Sequence, residues 1–311
     1  MTATTVVPGG TLGRDVVVAP GMCSGGSLIF GRIGDWTWEA VAQSCGVNVH
    51  AARTAAGDPA YLSFYYYRVR GGAVVHPHGL TFGDELTVTS RVFQLGSQSV
   101  ITLHRLAPAG LFAPGEPLAA DEFHERPHPD CMYVENFNRW VARRTAGSNE
   151  GLTRLAPPDF AYEHLPVLPT EYSPRAEVGR ARAAGGFHPD GPEGFAEVGR
   201  ARTSEHALDV VRDLNGAGLM YFASYFSVFD TALLAAWRSL GRTDELFLRR
   251  RVIDQRIGYF GNADPGTVFA VTLRLWRDER DPGREIADLV MRDRATGRLV
   301  AATAIETGGP A

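Results

Sequence analysis

The segment LNGAGLMYFASYFSVFDTALLAAW, residues 214–237, opens on small residues and runs into a stretch crowded with Phe and Tyr. Leu219, Phe222, Phe226, Phe229 and Leu233 recur at helical spacing. The run is too long for a strand and apolar on most faces, which predicts a helix buried nearly all round. A related segment, CSGGSLIFGRIGDWTWEAVAQ, lies 191 positions earlier. At that offset Gly25 meets Gly216, Leu28 meets Leu219, Trp38 meets Phe229 and Glu39 meets Asp230. Farther on, FGDELTVTSRV (82–92) matches DPGTVFAVTLRL (264–275), with Gly83 against Gly266 at an offset of 183. Two matches in the same order predict an internal duplication whose second half has the shorter helix-to-strand connection.

Each half continues in strand-like segments. PAYLSFYYYRVR (59–70), DELTVTSRVFQL (84–95) and SVITLHRL (99–106) are β-rich, the last two joined by the turn Gly96-Ser97-Gln98. VFAVTLRLW, EIADLVMRD and LVAATAIET take these parts in the second half, with Ala295-Thr296-Gly297 as a tight turn. Between the halves lies a Pro- and Gly-rich connection that holds a short helix candidate, VENFNRWVARR (134–144). It also carries AEVGRAR twice, from 176 and from 196, for which the sequence alone supplies no reason. Periodicity by itself thus predicts an α+β chain of two halves: a first repeat over 1–130, a connection over 131–200 and a second repeat over 201–311.

Composition narrows the function. The 311 residues are 44% hydrophobic and 21% charged, with a formal charge of −4. Nothing here points to nucleic acid or a membrane as partner. All 31 basic residues are arginine, which excludes lysine Schiff-base chemistry and a P-loop lysine. MTATTVVPGG lacks the basic and apolar regions of a signal peptide, and no run of 18 apolar residues exists, so a cytoplasmic protein is expected. Cys23, Cys45 and Cys131 are odd in number and scattered, which argues against a disulfide framework. His76-Pro77-His78 and the group His124, Glu125, His128, Asp130 and Cys131 do not match zinc spacing. GxGxxG, Walker and GxSxG motifs are missing, so neither metal nor cofactor is expected.

The segments MCSGGSLIFGRIGDWTWEAV, YLSFYYYRVRGG, LTFGDELTVTS, YVENFNRWV and DVVRDLNGAGLMYFASYF carry a resemblance from about residue 14 to about 305. They are similar to the family of bifunctional acyltransferase/decarboxylases acting in polyketide biosynthesis. The resemblance implies a double hot-dog fold: two tandem repeats, each a buried helix wrapped by an antiparallel sheet. It also implies that methylmalonyl-CoA is the substrate. Decarboxylation would yield a propionyl group, delivered to the phosphopantetheine thiol of an acyl carrier protein. The family's acyl-accepting tyrosine matches Tyr61. A double hot dog satisfies its own pairing, and many pair again as homodimers.

The residue chemistry can be set beside that expectation. On an unbroken strand Tyr61, Ser63, Tyr65 and Tyr67 share one face and Leu62, Phe64 and Tyr66 the other. The first set could line a cleft, with Tyr65 beside the substrate. It could equally be four residues that form sheet well. A phenol ionises at about pH 10, so Tyr61 needs a proton acceptor or a nearby cation to act as a nucleophile. Losing CO2 from a malonyl thioester leaves an enolate that backbone donors or an amide must hold. Glycines at a helix N-terminus let a carbonyl approach such donors. Gly25 and Gly26 in one half, and Gly216 and Gly218 in the other, are the candidates. Asn215 could donate its side-chain amide or simply cap the helix. Arg250, in the run 249–251, could grip a phosphate. Glu39 and Asp230, at matching helix positions, are the carboxylates a hot-dog thioesterase would use, which makes hydrolysis the alternative activity. A non-catalytic acyl-thioester binding module is the alternative outside enzymes.

Overall fold

The structure, a computed structural model, describes residues 5–7, 11–23 and 25–308, and the side chains of these except 5–7 and 25–27. The first half runs β1 (Thr5–Val7), β2 (Thr11–Val17), α1 (Gly25–Cys45), β3 (Ala60–Arg70), β4 (Glu85–Gln94), β5 (Ser99–Pro108), α2 (Ala120–His124) and β6 (Met132–Ala142). A connection follows with β7 (Thr153–Arg154), α3 (Arg175–Ala184) and β8 (Phe195–Glu197). The second half comprises β9 (Arg202–Ala207), α4 (Phe222–Ser239), α5 (Asp244–Leu248), β10 (Arg251–Tyr259), β11 (Val268–Asp278), β12 (Glu285–Asp293) and β13 (Leu299–Gly308).

The strands form one antiparallel sheet in the order β1-β2-β4-β5-β6-β3-β10-β13-β12-β11-β8, with β7 on β6 and β9 on β11. Within it, β2-β4-β5-β6-β3 and β9-β11-β12-β13-β10 repeat one topology. The two copies meet where β3 pairs β10, from Arg70 opposite Asp254 to Tyr66 opposite Gly258. Each half therefore wraps its own helix, and the duplication expected from the sequence is a structural one.

α1 and α4 pack against each other on one face of the sheet. Phe30 of α1 meets Phe226 of α4 with centroids 4.3 Å apart, and Phe222 stacks on Phe64 of β3 at 3.9 Å. Each such side chain contributes about 1.5–3 kcal/mol by leaving water. The glycines of α1 make the close approach feasible. A Cβ at Gly34 would lie 2.2 Å from the Phe222 ring, and one at Gly31 would lie 2.9 Å from the Tyr221 hydroxyl. On α4 only a narrow stripe, Ser227, Thr231, Ala235, Arg238 and Ser239, faces water, as the aromatic run predicts. The opposite sheet face is covered by the connection, with Tyr66, Phe93, Tyr133 and Phe137 packed beneath Leu168 and Val178.

Several expectations are corrected. VENFNRWVARR is not a helix: most of it is β6, buried at every position except Arg139. A central strand covered on both faces loses the alternation that marks a strand, so the first repeat takes its fifth strand from the segment expected to be connection. The counterpart of β3 is β10, RVIDQRIGY, a strand hidden behind the arginine run. The two copies of AEVGRAR adopt different structures, the first within α3 and the second in β8 and the turn after it. Tertiary context overrides local propensity there.

A bulge corrects the face assignment on β3. Phe64 pairs Asn138 and Tyr66 pairs Phe137, so Tyr65 is an extra residue. Beyond it the alternation inverts. Tyr67 joins Phe64 and Val69 against the helices instead of sharing a face with Tyr61, and Tyr66 turns to the connection side. The bulge also lies where β3 leaves β10. Residues 60–64 keep their β6 partners but have no partner on β10, while the Phe260 N–H donates to the Val300 carbonyl at 2.8 Å.

Candidate active site

Where β3 leaves β10 a cavity of 630 Å³ opens between the halves. Tyr61 and Ser63 line it from β3, Asp35 and Trp38 from α1, and residues 215–217 and 219–222 from the second half, Gly218 not among them. Tyr61 thus faces the turn of the opposite repeat. A second cavity of 390 Å³ adjoins it and shares Ser63, Phe64, Met220, Phe222 and Asn262.

The 214–221 segment is a tight hairpin rather than the first turn of the helix. Leu214 bridges Met220, the Asn215 N–H donates to the Leu219 carbonyl at 2.9 Å, and α4 starts only at Phe222. This corrects the expectation that Gly216 and Gly218 open the helix. Asn215 organises the hairpin instead of capping α4: its Oδ1 accepts from the N–H of Ala217 at 3.0 Å and of Leu219 at 3.1 Å. Its backbone carbonyl takes the Gly218 N–H at 2.8 Å. Three turn donors are thereby spent, while among the described residues no partner takes the Asn215 amide hydrogens, and Asn215 lines the larger cavity. Gly218 has φ +71°, a left-handed backbone that explains its identity; Gly216 has no close neighbour where a Cβ would sit.

Arg143, just past β6, ties this hairpin to Tyr61. Its Nη1 donates to the Tyr61 hydroxyl at 3.0 Å and its Nη2 to the Ala217 carbonyl at 2.6 Å. Asn149 holds the guanidinium, accepting from Nη2 at 2.9 Å and from Nε at 3.2 Å. The Asn149 amide in turn donates to the carbonyls of Gly218 at 2.7 Å and Ala263 at 2.9 Å. Asn262 closes the other side of the hairpin by accepting the Met220 N–H at 2.9 Å.

The neighbouring tyrosines are committed elsewhere. Tyr67, Tyr225 and Tyr259 donate to the carbonyls of Phe30, Gly261 and Phe222 at 3.4, 3.0 and 3.3 Å. Burial holds all three phenols well above the usual range for tyrosine. Tyr221, at the cavity wall, is pushed up to about 12 by burial and by the Asp35 carboxylate, so it stands as a neutral hydroxyl. Tyr61 differs in receiving a hydrogen bond from a cation.

The remaining candidates divide. Tyr65 lines the second cavity, with the Arg139 guanidinium 3.5 Å above its ring. Gly25 and Gly26 already belong to α1; their surroundings, like Ser24, lie outside the described residues. Arg250 lines neither cavity. It is buried, pairs with Asp230 at 2.8 Å and donates to the Phe247 carbonyl at 2.8 Å, so it is not free to hold a phosphate. Glu39 likewise binds Arg14 at 2.7 Å. Both helix carboxylates expected of a thioesterase are thus held by arginine. Arg143, Asn149 and Asn262 went unnoticed in the sequence. Arg143 had a signal: once 132–142 is read as a strand, Val141 falls opposite Tyr61.

A helix-wrapped antiparallel sheet made twice in one chain, with a cleft where the two copies meet, is a double hot-dog protein. The family profile described as LnmK N-terminal Hot Dog Fold domain matches residues 13–189, and the chain belongs to that family. No curated protein sequence matches it. Among solved structures, one described as an oleoyl thioesterase from Lactobacillus plantarum is 9% identical, with TM-score 0.59 over 96% of this chain and 95% of that one. The 12:0-ACP thioesterase of Umbellularia californica is 12% identical, with TM-score 0.53 over 97% and 99%. An acyl-ACP thioesterase from Bacteroides thetaiotaomicron is 9% identical, with TM-score 0.50 over 96% and 98%. At such identities the likeness is one of fold. Among the described residues no helix is long and apolar enough to cross a membrane, and no group of three His, Cys, Asp or Glu is placed to hold a metal.

Proposed function

We propose that the protein is an acyltransferase/decarboxylase that converts methylmalonyl-CoA to a propionyl group carried by an acyl carrier protein. The observation that carries the reading is the contact between Tyr61 and Arg143 at the hairpin of the opposite repeat. A guanidinium donating to the phenol oxygen orients the hydroxyl that a tyrosine nucleophile would present to the thioester. Tyr61 attacks the thioester carbonyl, and coenzyme A leaves as the thiol with the phenol's proton. Loss of CO2 gives an enolate, which takes up one proton. The carrier-protein thiol then displaces the propionyl group and returns its proton to Tyr61. Decarboxylation before the first transfer gives the same balance: methylmalonyl-CoA, carrier thiol and one proton become propionyl carrier, CO2 and coenzyme A.

The free Asn215 amide supports this reading, because an enolate oxygen needs a donor already in place. Phe64, Phe222 and Leu62 supply an apolar wall that solvates a carboxylate poorly and favours its loss. Thioester hydrolysis is the second reading, favoured by Asp35, the one carboxylate lining the larger cavity. It would activate water and leave free acid.

Intact-protein mass spectrometry after mixing with methylmalonyl-CoA tests the proposal. A propionyl or methylmalonyl adduct on wild type and none on Tyr61→Phe is expected. Absence of an adduct with free acid accumulating would replace transfer by hydrolysis. Neither adduct nor turnover would leave an acyl-thioester binding module.

A further inference from the structure

The smaller cavity has a composition that the chemistry at Tyr61 does not require. Arg139, Arg154, Arg182 and Arg298 line it, and no aspartate or glutamate does. This occurs in a chain whose formal charge is −4. Among the described residues, Arg139, Arg154 and Arg182 enter no ion pair; Arg298 binds Glu150 at 3.1 Å and the Asn262 carbonyl at 3.0 Å. Arg139 lies over the Tyr65 ring and hydrogen-bonds to the Tyr65 side chain, which together fix its plane. Burial lowers its pKa to about 10; Tyr65 opposes the shift, and Arg154 and Arg175 add to it. Like charges held together in this way are a cost that a bound anion removes.

The arginine-walled cavity adjoins the Tyr61 cleft and shares Ser63 and Phe64 with it. Arg139 sits opposite Ser63 on β3, two positions along from the Val141–Tyr61 pair. That is roughly 7 Å along the strand. The larger cavity beside Tyr61 carries no comparable group of arginines, Arg53 being its only one. We propose that the arginine-walled cavity binds the phosphate groups on the carrier arm of the acyl thioester. These are the phosphates of coenzyme A or the phosphodiester of protein-bound phosphopantetheine. Arginine forks match phosphate oxygens two at a time, and several cations outmatch what a single substrate carboxylate would need. The inference rests on the reading that the adjoining cavity takes an acyl thioester.

Titration calorimetry with coenzyme A, 4′-phosphopantetheine, pantetheine and adenosine 3′,5′-bisphosphate tests it on the whole chain. Arg154→Gln and Arg182→Gln alter exposed side chains, and Arg139→Gln is compared with them after its melting temperature is checked. Coenzyme A affinity should fall about tenfold per arginine, while pantetheine binding stays unchanged. Loss shared with adenosine 3′,5′-bisphosphate assigns the site to the nucleotide end; loss shared with 4′-phosphopantetheine assigns it to the phosphodiester. Unchanged coenzyme A affinity in the Arg154→Gln/Arg182→Gln double variant overturns the proposal, as does an equal loss for pantetheine. The two readings fail separately. Normal turnover with unchanged KM in these variants would sink the phosphate site alone. Arginine-dependent coenzyme A binding by a wild type that neither transfers nor decarboxylates would sink the activity alone.

Discussion

Arg143 sits 3.0 Å from the Tyr61 hydroxyl and donates to it, while its other nitrogens reach the Ala217 carbonyl and Asn149. One cation thereby fixes the distance between a strand of the first repeat and a hairpin of the second. Arg143→Gln should lower transfer about a hundredfold, the scale of losing one charge-stabilising donor. The effect should vanish on a Tyr61→Phe background, because two groups acting as a unit are not additive. Single-turnover rates for the four proteins check this; additive losses would separate the two residues.

Asn215 combines anchoring with donation, and these can be separated. Asn215→Asp keeps an oxygen for the N–H groups of Ala217 and Leu219 but removes the amide donor. Its melting temperature should stay near wild type while CO2 release drops by roughly 10²–10³. Asn215→Ala should lose both. Equal CO2 release by wild type and Asn215→Asp would leave the side chain purely structural.

The Arg250–Asp230 pair is expected to matter for folding and not for turnover. Asp230→Asn leaves a buried guanidinium short of its charge partner and should cost about 3 kcal/mol. Urea unfolding reads that loss. The kcat/KM of the folded fraction should be unchanged; a large fall would return Arg250 to the substrate.

Gly34 faces the ring of Phe222, which walls both cavities. Gly34→Ala should destabilise by about 1–3 kcal/mol through overpacking. Because Phe222 must move, activity should fall with the melting temperature. Wild-type activity in the variant would show that the aromatic wall tolerates displacement.

Two buried groups set opposite pH slopes. Glu135 is raised to about 8 by burial; Arg68 opposes this, and Glu177 and Asp254 add to it more weakly. Its protonated form belongs to the fold, so stability is lost as pH rises from about 4.5 through 8. His124 lies 3.8 Å away and is lowered to about 4 by burial and by Arg68 and Arg70, so the contact is between neutral groups at pH 7. His104, held by Thr37 at 2.9 Å and Ser90 at 2.8 Å, is lowered to about 3 by burial and by Arg14. It stays neutral in the fold, so stability is lost as pH falls from 6.5 through 3. The Glu135 slope opposes those of His104 and His124 between 4.5 and 6.5, so the loss due to Glu135 stands alone among these three above 6.5. Glu135→Gln should remove the alkaline slope and leave the variant more stable than wild type at pH 8, by on the order of a few kcal/mol. A melting curve that still falls toward pH 8 in the variant would locate the slope elsewhere.

The duplication and both long helices were open to reading because each leaves a local trace, whereas the opposition of Tyr61 to the 215–218 hairpin joins segments of different repeats and leaves none. Aromatic residues at helical spacing and a repeated glycine-aromatic segment need no tertiary information. β6 and β10 left weaker traces. β6 buries Glu135, Asn136 and Asn138 on faces closed by other elements, so its pattern is neither alternating nor apolar. β10 begins inside an arginine run whose middle member is buried by a partner on α4. The bulge at Tyr65 was invisible because four successive aromatic residues suit either face. Arg143 could not be found before β6 was known to be a strand.

The sheet passes from one repeat to the other through the β3–β10 pair of a single chain. Where two identical subunits meet, each substitution is made twice and both clefts must tolerate it. Here a change enters once. Tyr61 and Arg143 can settle beside β3 of one repeat while Arg250 and Asp230 pair in the other. Two repeats carried by one chain need not keep the same residues.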